Sequence, residues 1–174
     1  MDDVKRLLFW ILFPFVIPQA ILTRKHAPRF SAAKGPQQGS CGNGRELKLL
    51  AVGDSIIAGV GADKIDDALV GRTVYHLSNQ LNCRVRWYAK GETGITTDDL
   101  INRVLPELKT EPADFIIISI GVNDVTSLTR SNRWRNNLKC VFKMLKNNSP
   151  NAVIAFPGMP PLKGFPLLPE PLRS

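Results

Sequence analysis

The chain has 174 residues, of which 44% are hydrophobic and 22% charged, and its formal net charge at pH 7 is +8. These values predict one globular domain with a short appendage, and because basic and aromatic residues are not interleaved, they exclude a nucleic-acid-binding surface. The three cysteines lie far apart, with no Cys-x-x-Cys or Cys/His spacing, so the sequence indicates neither a metal site nor a disulfide framework.

An uncharged run of 16 residues, 7–22, lies near the amino terminus between two pairs of basic residues. As a helix it would be about 24 Å long, shorter than the ~30 Å hydrocarbon core of a membrane, and Pro14 and Pro18 would bend it. We favour a membrane anchor or interfacial segment within residues 1–26. The alternative is a signal peptide that directs export, although its cleavage site would be poor. A buried core helix is disfavoured because the run is apolar on all sides and precedes a linker.

Residues 27–45 are rich in glycine, proline, serine and glutamine, which predicts a flexible linker and a domain that spans residues 46–174. The first predicted strand of this domain, residues 47–52, runs directly into Gly-Asp-Ser at 53–55. A buried strand that ends in this way presents the hydroxyl of Ser55 at the carboxyl edge of an α/β sheet, where ligands collect. Taken alone, the three residues are equally well explained as a polar turn that closes the strand.

The rest of the chain alternates strand-like and helical segments, which predicts a doubly wound parallel sheet. The first helix carries His76, which we interpret as a structural or surface residue and not as a catalytic one. The Thr-Thr-Asp-Asp run at 96–99 is typical of a capped helix start, so its carboxylates are better explained by capping than by acid–base chemistry. In order, the elements predicted after the first strand are a helix over 66–81, a strand over 83–90, a helix from Thr96 or Thr97 towards Leu108, a strand over 115–120, a helix over 132–147 and a strand over 152–156.

Three successive predicted strands end in short polar turns, at 53–55, 91–94 and 121–124. Because the carboxyl ends of parallel strands lie at one edge of a sheet, we expect Ser55, a glycine amide and Asn123 to converge in one crevice. No GxGxxG, GxxxxGK[ST] or GxSxG pattern occurs at these turns, which excludes the dinucleotide-binding, P-loop and α/β-hydrolase interpretations.

The three turns together resemble motifs of the SGNH hydrolases, which are also called GDSL esterases or lipases. GDSIIAGVG at 53–61 resembles the first motif, GETGITTDDL at 91–100 the second and ISIGVNDVT at 118–126 the third. The resemblance extends over about residues 47–161. It implies a three-layer α/β/α sandwich with a flavodoxin-like parallel sheet. It also implies an enzyme that hydrolyses carboxylic esters, thioesters or carbohydrate O-acetyl groups without a metal or other cofactor.

The resemblance also assigns roles to individual residues. Ser55 corresponds to the nucleophile, and the backbone N–H groups of Ser55 and Gly94 with the side-chain amide of Asn123 correspond to the oxyanion hole. Asp54 and Asp124 are expected to hydrogen-bond turn backbone and not to act as acids.

The fourth motif of the family, Asp-x-x-His, has no counterpart in this sequence. The only histidines are His26, before the domain, and His76, on the first helix, so the sequence identifies no general base. We therefore interpret the domain as C-terminally incomplete, a truncated member of the family. Two functions remain open: a serine ester hydrolase that acts on a small-molecule ester through an acyl-serine intermediate, and a non-catalytic remnant that at most binds acyl or glycan ligands.

Overall fold

A computed structural model of the protein describes residues 30–108 and 111–158. The predicted membrane segment, residues 7–22, and His26 lie outside these residues. Over the part of the chain that is described, no helix combines the length and the apolar character needed to cross a bilayer.

The described residues form one five-stranded sheet with helices on both of its faces. The helix over residues 97–107 is continuous but contains a π-helical segment in its middle. In chain order the elements are β1 (Gln38–Cys41), β2 (Glu46–Gly53), a 3₁₀ turn (Ile65–Asp67), α1 (Leu69–Leu81), β3 (Arg84–Gly91), α2 (Thr97–Asp99, Leu100–Val104 and Leu105–Glu107), β4 (Phe115–Ser119), α3 (Val122–Thr126), α4 (Ser131–Asn148) and β5 (Val153–Ala155).

The strands lie in the order β1-β3-β2-β4-β5. β3, β2, β4 and β5 are parallel, as the alternation of strands and helices predicts, whereas β1 pairs antiparallel with β3. The sheet is therefore mixed and not purely parallel as expected. An antiparallel edge strand on an otherwise parallel sheet is common in α/β proteins.

Alternate side chains of the central strands pack into two separate cores. On β2, Leu49 and Ala51 face the layer that contains α1, while Leu50 and Val52 face the layer that contains α2 and α4. This division confirms the predicted three-layer α/β/α arrangement. Burial of a large aliphatic side chain such as Ile118, which is fully buried, contributes about 1.5–3 kcal/mol.

The prediction of a flexible linker over residues 27–45 is wrong for residues 38–41, which form β1. Small residues suggested a linker, but at least one of them is small because a neighbouring side chain packs against it. A Cβ on Gly39 would lie 3.1 Å from the indole nitrogen of Trp87, across the β1–β3 pair. Ala33, ahead of β1, is also buried in the core on the α1 side. The sheet thus begins before Glu46, where the sequence placed the start of the domain.

The helices differ from the sequence predictions in two places. The helix predicted over 66–81 is divided at Ala68 into the 3₁₀ turn and α1, and the short helix α3 was not predicted. Of the two candidate caps of α2, Thr96 is the one used: its hydroxyl accepts the N–H of Asp99, whose carboxylate accepts the N–H of Thr96. This reciprocal pair satisfies two helix N–H groups at once.

Candidate active site

The carboxyl ends of β3, β2 and β4 lie side by side at one edge of the sheet. Gly53, the last residue of β2, is in register with Gly91 of β3 on one side and with Ser119 of β4 on the other. The loops that follow these strands carry Ser55, Gly94 and Asn123. The topology therefore brings the three sequence-predicted residues to the same edge, in three neighbouring loops.

The first loop begins with an unusually close approach between β2 and β4. Gly53 has a φ of 151°, and a Cβ added to it would lie 1.9 Å from the carbonyl oxygen of Ser119. The next residue, Asp54, donates its backbone N–H to that same oxygen at 2.8 Å. Only glycine permits this approach, so the position of the loop depends on Gly53.

The carboxylate of Asp54 is buried beneath the first loop, with 2% of the residue exposed. Its Oδ1 accepts the backbone N–H of Ile56 at 3.0 Å, and the hydroxyl of Ser119 lies 3.5 Å away. Burial raises the pKa of Asp54 above its ordinary value, although these hydrogen bonds act in the opposite direction. Asp54 thus makes the turn contact that the sequence analysis expected of it.

Ser55 is half-buried and lies in the turn that follows Asp54. The turn is closed by backbone hydrogen bonds, from Ala58 to the carbonyl of Asp54 at 3.1 Å and from Val60 to the carbonyl of Ser55 at 2.9 Å. Within residues 30–108 and 111–158, the backbone N–H of Ser55 donates no hydrogen bond. An N–H group that is held in place and makes no other hydrogen bond is available to donate to an oxyanion.

The second loop is attached to the first by the backbone N–H of Glu92, which donates to the carbonyl of Gly53 at 3.1 Å. Gly94, two residues further on, is exposed and has a φ of 84°. A Cβ at Gly94 would contact nothing within 4 Å, so the backbone conformation, and not a lack of space, favours glycine there. In the described part of the chain, the N–H of Gly94 also donates no hydrogen bond.

The third loop presents Asn123, which is half-buried in the short helix α3. Its side-chain nitrogen Nδ2 donates to the carbonyl oxygen of Ile95 at 2.9 Å. A carboxamide nitrogen has two N–H groups, so this bond fixes the plane of the amide and leaves the second N–H as a donor.

Asp124 is buried, and its carboxylate accepts the backbone N–H and the hydroxyl of Thr97, at 2.9 and 2.6 Å, at the start of α2. The sequence analysis expected a hydrogen bond to backbone but did not identify this partner. The hydroxyl of Thr97 in turn accepts Nδ2 of Asn137, from α4, at 3.0 Å. Sequence reasoning missed Thr97 and Asn137 as parts of the site. Helical spacing was the available signal, because Asn137 lies three residues after Trp134 on the inward side of α4.

No general base is found among the described residues. His76 is exposed on α1 and makes an edge-to-face contact with Tyr75, with 5.4 Å between the ring centroids. No cluster of three or more metal-ligating side chains occurs in residues 30–108 and 111–158 either.

A groove of about 690 Å³ lies away from Ser55, near the amino ends of β2 and β3. Of its charged side chains, Lys48 pairs with Glu111, and Arg86 pairs with Glu46 at 3.3 Å and with Glu111 at 2.7 Å. None of Ser55, Gly94 and Asn123 lines this groove.

Residues 51–174 match the model of the GDSL-like lipase/acylhydrolase family. Among solved structures, the chain is similar to a catalytic mutant of an acetylxylan esterase from Geobacillus stearothermophilus, with a TM-score of 0.55, 23% sequence identity, and coverage of 76% of this chain and 67% of the esterase. It is also similar to the lipase Lip_vut3 from goat rumen metagenome, with a TM-score of 0.57, 19% identity, and coverage of 68% and 66%. At these identities the likeness concerns the fold.

A third solved structure, a possible lipase from Chitinophaga pinensis, matches with a TM-score of 0.46, 17% identity, and coverage of 63% of this chain and 47% of that one. The chain thus spans between about half and two thirds of the length of these structures. A comparison with curated protein sequences found no match.

Proposed function

Because the chain belongs to the GDSL-like lipase/acylhydrolase family, we propose that it is built for serine ester hydrolysis, with Ser55 as the nucleophile. The observation that carries the proposal is the meeting of three loops at one sheet edge. The hydroxyl of Ser55 lies there with two backbone N–H groups and a fixed side-chain amide, which are the parts that acyl transfer needs.

In the proposed reaction, Oγ of Ser55 adds to the acyl carbon of an ester to form a tetrahedral intermediate, and the bond from that carbon to the alcohol oxygen then breaks. The serine proton leaves with the alcohol, and water then hydrolyses the acyl-serine to release the acid and restore the hydroxyl. The N–H groups of Ser55 and Gly94 and the second N–H of Asn123 would stabilise the negative oxygen of the tetrahedral intermediate. The loss of one such donor typically lowers turnover by about 10²–10³.

The substrate class that we propose is a carboxylic ester, a thioester or an O-acetyl group. Membership in a lipase/acylhydrolase family and the fold shared with an acetylxylan esterase and a lipase support this class. The half-buried position of Ser55 fits a substrate that approaches from solvent.

A second candidate function is binding without catalysis, in which the site holds an acyl or glycan group but does not cleave it. The observation that favours it is the distribution of the two histidines: His76 is exposed on α1, and His26 lies outside the described residues. A serine hydroxyl that has no adjacent base is a weak nucleophile near neutral pH.

Labelling with a fluorophosphonate probe distinguishes the two candidates. We expect slow covalent labelling of the full chain and its loss in Ser55→Ala, while Ser31→Ala, at an exposed serine outside the site, should label like the parent. Unchanged labelling of Ser55→Ala would refute the assignment of the nucleophile. Saturable binding of an acyl ligand without any labelling would favour the binding function.

A further inference from the structure

Two consecutive residues of the third loop hold the start of α2 by separate hydrogen bonds. Asn123 donates to the carbonyl of Ile95, and Asp124 accepts the N–H and the hydroxyl of Thr97. The segment between Gly94 and α2 is therefore held on both sides of Thr96. Gly94 and Asn123 carry two of the three candidate oxyanion donors, so these bonds link the two loops that hold those donors.

The direction of the hydrogen bonds shows that α4 takes part in this arrangement. The amide nitrogen of Asn137 can only donate, so the hydroxyl of Thr97 acts as acceptor in that bond of 3.0 Å. The single hydroxyl proton is then directed to Oδ1 of Asp124, at 2.6 Å. Asn137, Thr97 and Asp124 form a chain of hydrogen bonds that leads from α4 to the residue beside Asn123.

Two members of this chain are buried, Thr97 with 0% and Asp124 with 2% of the surface exposed, and Asn137 is half-buried. Water therefore cannot take the place of either buried partner. The low local dielectric of a buried site strengthens a connected set of hydrogen bonds. A second contact between the same elements, from Arg133 of α4 to Asp98 of α2 at 3.0 Å, keeps α4 close to the loop.

We propose that Thr97 and Asn137 are positioning residues that act through Asp124 to place the amide of Asn123 relative to Gly94. The inference rests on the proposed function and extends it to two residues that do not touch the substrate. The competing explanation is that the buried chain contributes only to stability.

Two pairs of variants test the inference. Asn137→Ala is compared with Asn136→Ala, since Asn136 is the exposed neighbour on the same helix, and Thr97→Val is compared with Thr97→Ser, which keeps the hydroxyl. The readouts are the rate of fluorophosphonate labelling of Ser55 at saturating probe and the thermal unfolding midpoint.

We expect labelling to fall about tenfold or more in Asn137→Ala and Thr97→Val, because small displacements of a reacting geometry cost large factors in rate. Asn136→Ala should label like the parent, and Thr97→Ser should retain most of the rate. A purely structural role predicts a lower midpoint with unchanged labelling of the folded protein, and that result would overturn the proposal.

A separate readout keeps this inference distinct from the proposed function. If the parent chain does not label at all, the proposed function fails, and the network is then judged by the side-chain amide resonances of Asn123 in an NMR spectrum. Positioning predicts that Asn137→Ala and Thr97→Val shift or broaden these resonances while Asn136→Ala leaves them in place. Unchanged resonances in all variants would contradict the inference.

Discussion

The backbone N–H of Asp54 donates to the carbonyl oxygen of Ser119 at 2.8 Å, so the turn that carries Ser55 starts against the end of the neighbouring strand. Gly53 makes this contact possible because it has no side chain to separate the two strands. The position of the candidate nucleophile thus depends on an interaction between residues that are far apart in the sequence.

Replacement of Gly53 by alanine should be strongly destabilising. The new Cβ would lie 1.9 Å from the oxygen of Ser119, and that atom belongs to backbone that cannot rotate away. We expect the free energy of unfolding in a urea titration to fall by about 3 kcal/mol or more. The control is Gly61→Ala, at a φ of 93° but with no atom within 4 Å of the added Cβ, where the cost should be about 1–2 kcal/mol. Equal effects of the two changes would show that backbone strain alone matters.

Asp99 should stabilise the protein at pH values above its ordinary pKa, and this stabilisation should be lost in acid. Hydrogen bonds from the N–H and hydroxyl of Thr96 lower the pKa of Asp99 below 3.8, and Arg103 contributes. The pKa of Asp99 is lower in the folded state than in the unfolded state. The stabilisation is therefore present at pH values above the unfolded-state pKa, and it disappears as the pH falls through the folded-state pKa. In urea titrations, the loss of unfolding free energy caused by Asp99→Asn should therefore be largest near neutral pH and should become smaller as the pH falls below 3.8. A deficit that is independent of pH would contradict the assignment.

Asp54 should show the opposite dependence. Burial raises its pKa above 3.8, so the folded state binds the proton more tightly than the unfolded state does. Ionisation of Asp54 therefore lowers the free energy of unfolding as the pH rises from 3.8 through the raised folded-state pKa. At pH values below 3.8 this loss of stability is absent. Asp54→Asn can still accept the N–H of Ile56, so the stability difference, variant minus parent, should increase with pH across that window. A difference that decreases with pH would refute the direction of the shift.

Hydrolysis of p-nitrophenyl acetate by the 174-residue chain should be residual. Enzymes that lose a member of the catalytic triad retain about 10³–10⁴-fold acceleration over water, from the oxyanion hole and binding. Addition of a family-like segment that bears Asp-x-x-His should increase both hydrolysis and probe labelling, and Ser55→Ala should abolish the increase. Vigorous turnover by the unextended chain that depends on Ser55 would contradict this expectation, and His76→Gln would then test the remaining histidine in the domain.

Residues 7–22 should hold the protein at a membrane. The run carries no charge and lies between basic pairs, which favours an anchor over a cleaved signal. After cell fractionation we expect the full chain in the membrane pellet and a chain without residues 1–26 in the supernatant. The deletion stops short of Phe30, so it removes none of the residues that form the sheet. Recovery of the full chain in the supernatant would argue against an anchor.

Much of the fold could be predicted from local sequence patterns. The continuous apolar run of β4 and the helical spacing of α1 and α4 indicated their type, because burial on one face or two imposes a period that is visible in any short window. β1 could not be predicted in this way. Its residues are mostly polar or small, and what makes them a strand is the exposed edge of β3 beside them.

The sequence by itself determined which residues stand at the ends of the central strands, since Gly-Asp-Ser, Gly-Glu-Thr-Gly and Gly-Val-Asn-Asp each interrupt a local apolar pattern. Only the tertiary structure decided what holds them in place. The hydroxyl of Thr97 meets Asp124 from 27 positions away and Asn137 from 40, and no local period relates such residues. Polar side chains of this kind look like surface residues in a sequence. They become structural only when packing removes them from water, because each then needs another polar group of the protein as its hydrogen-bond partner.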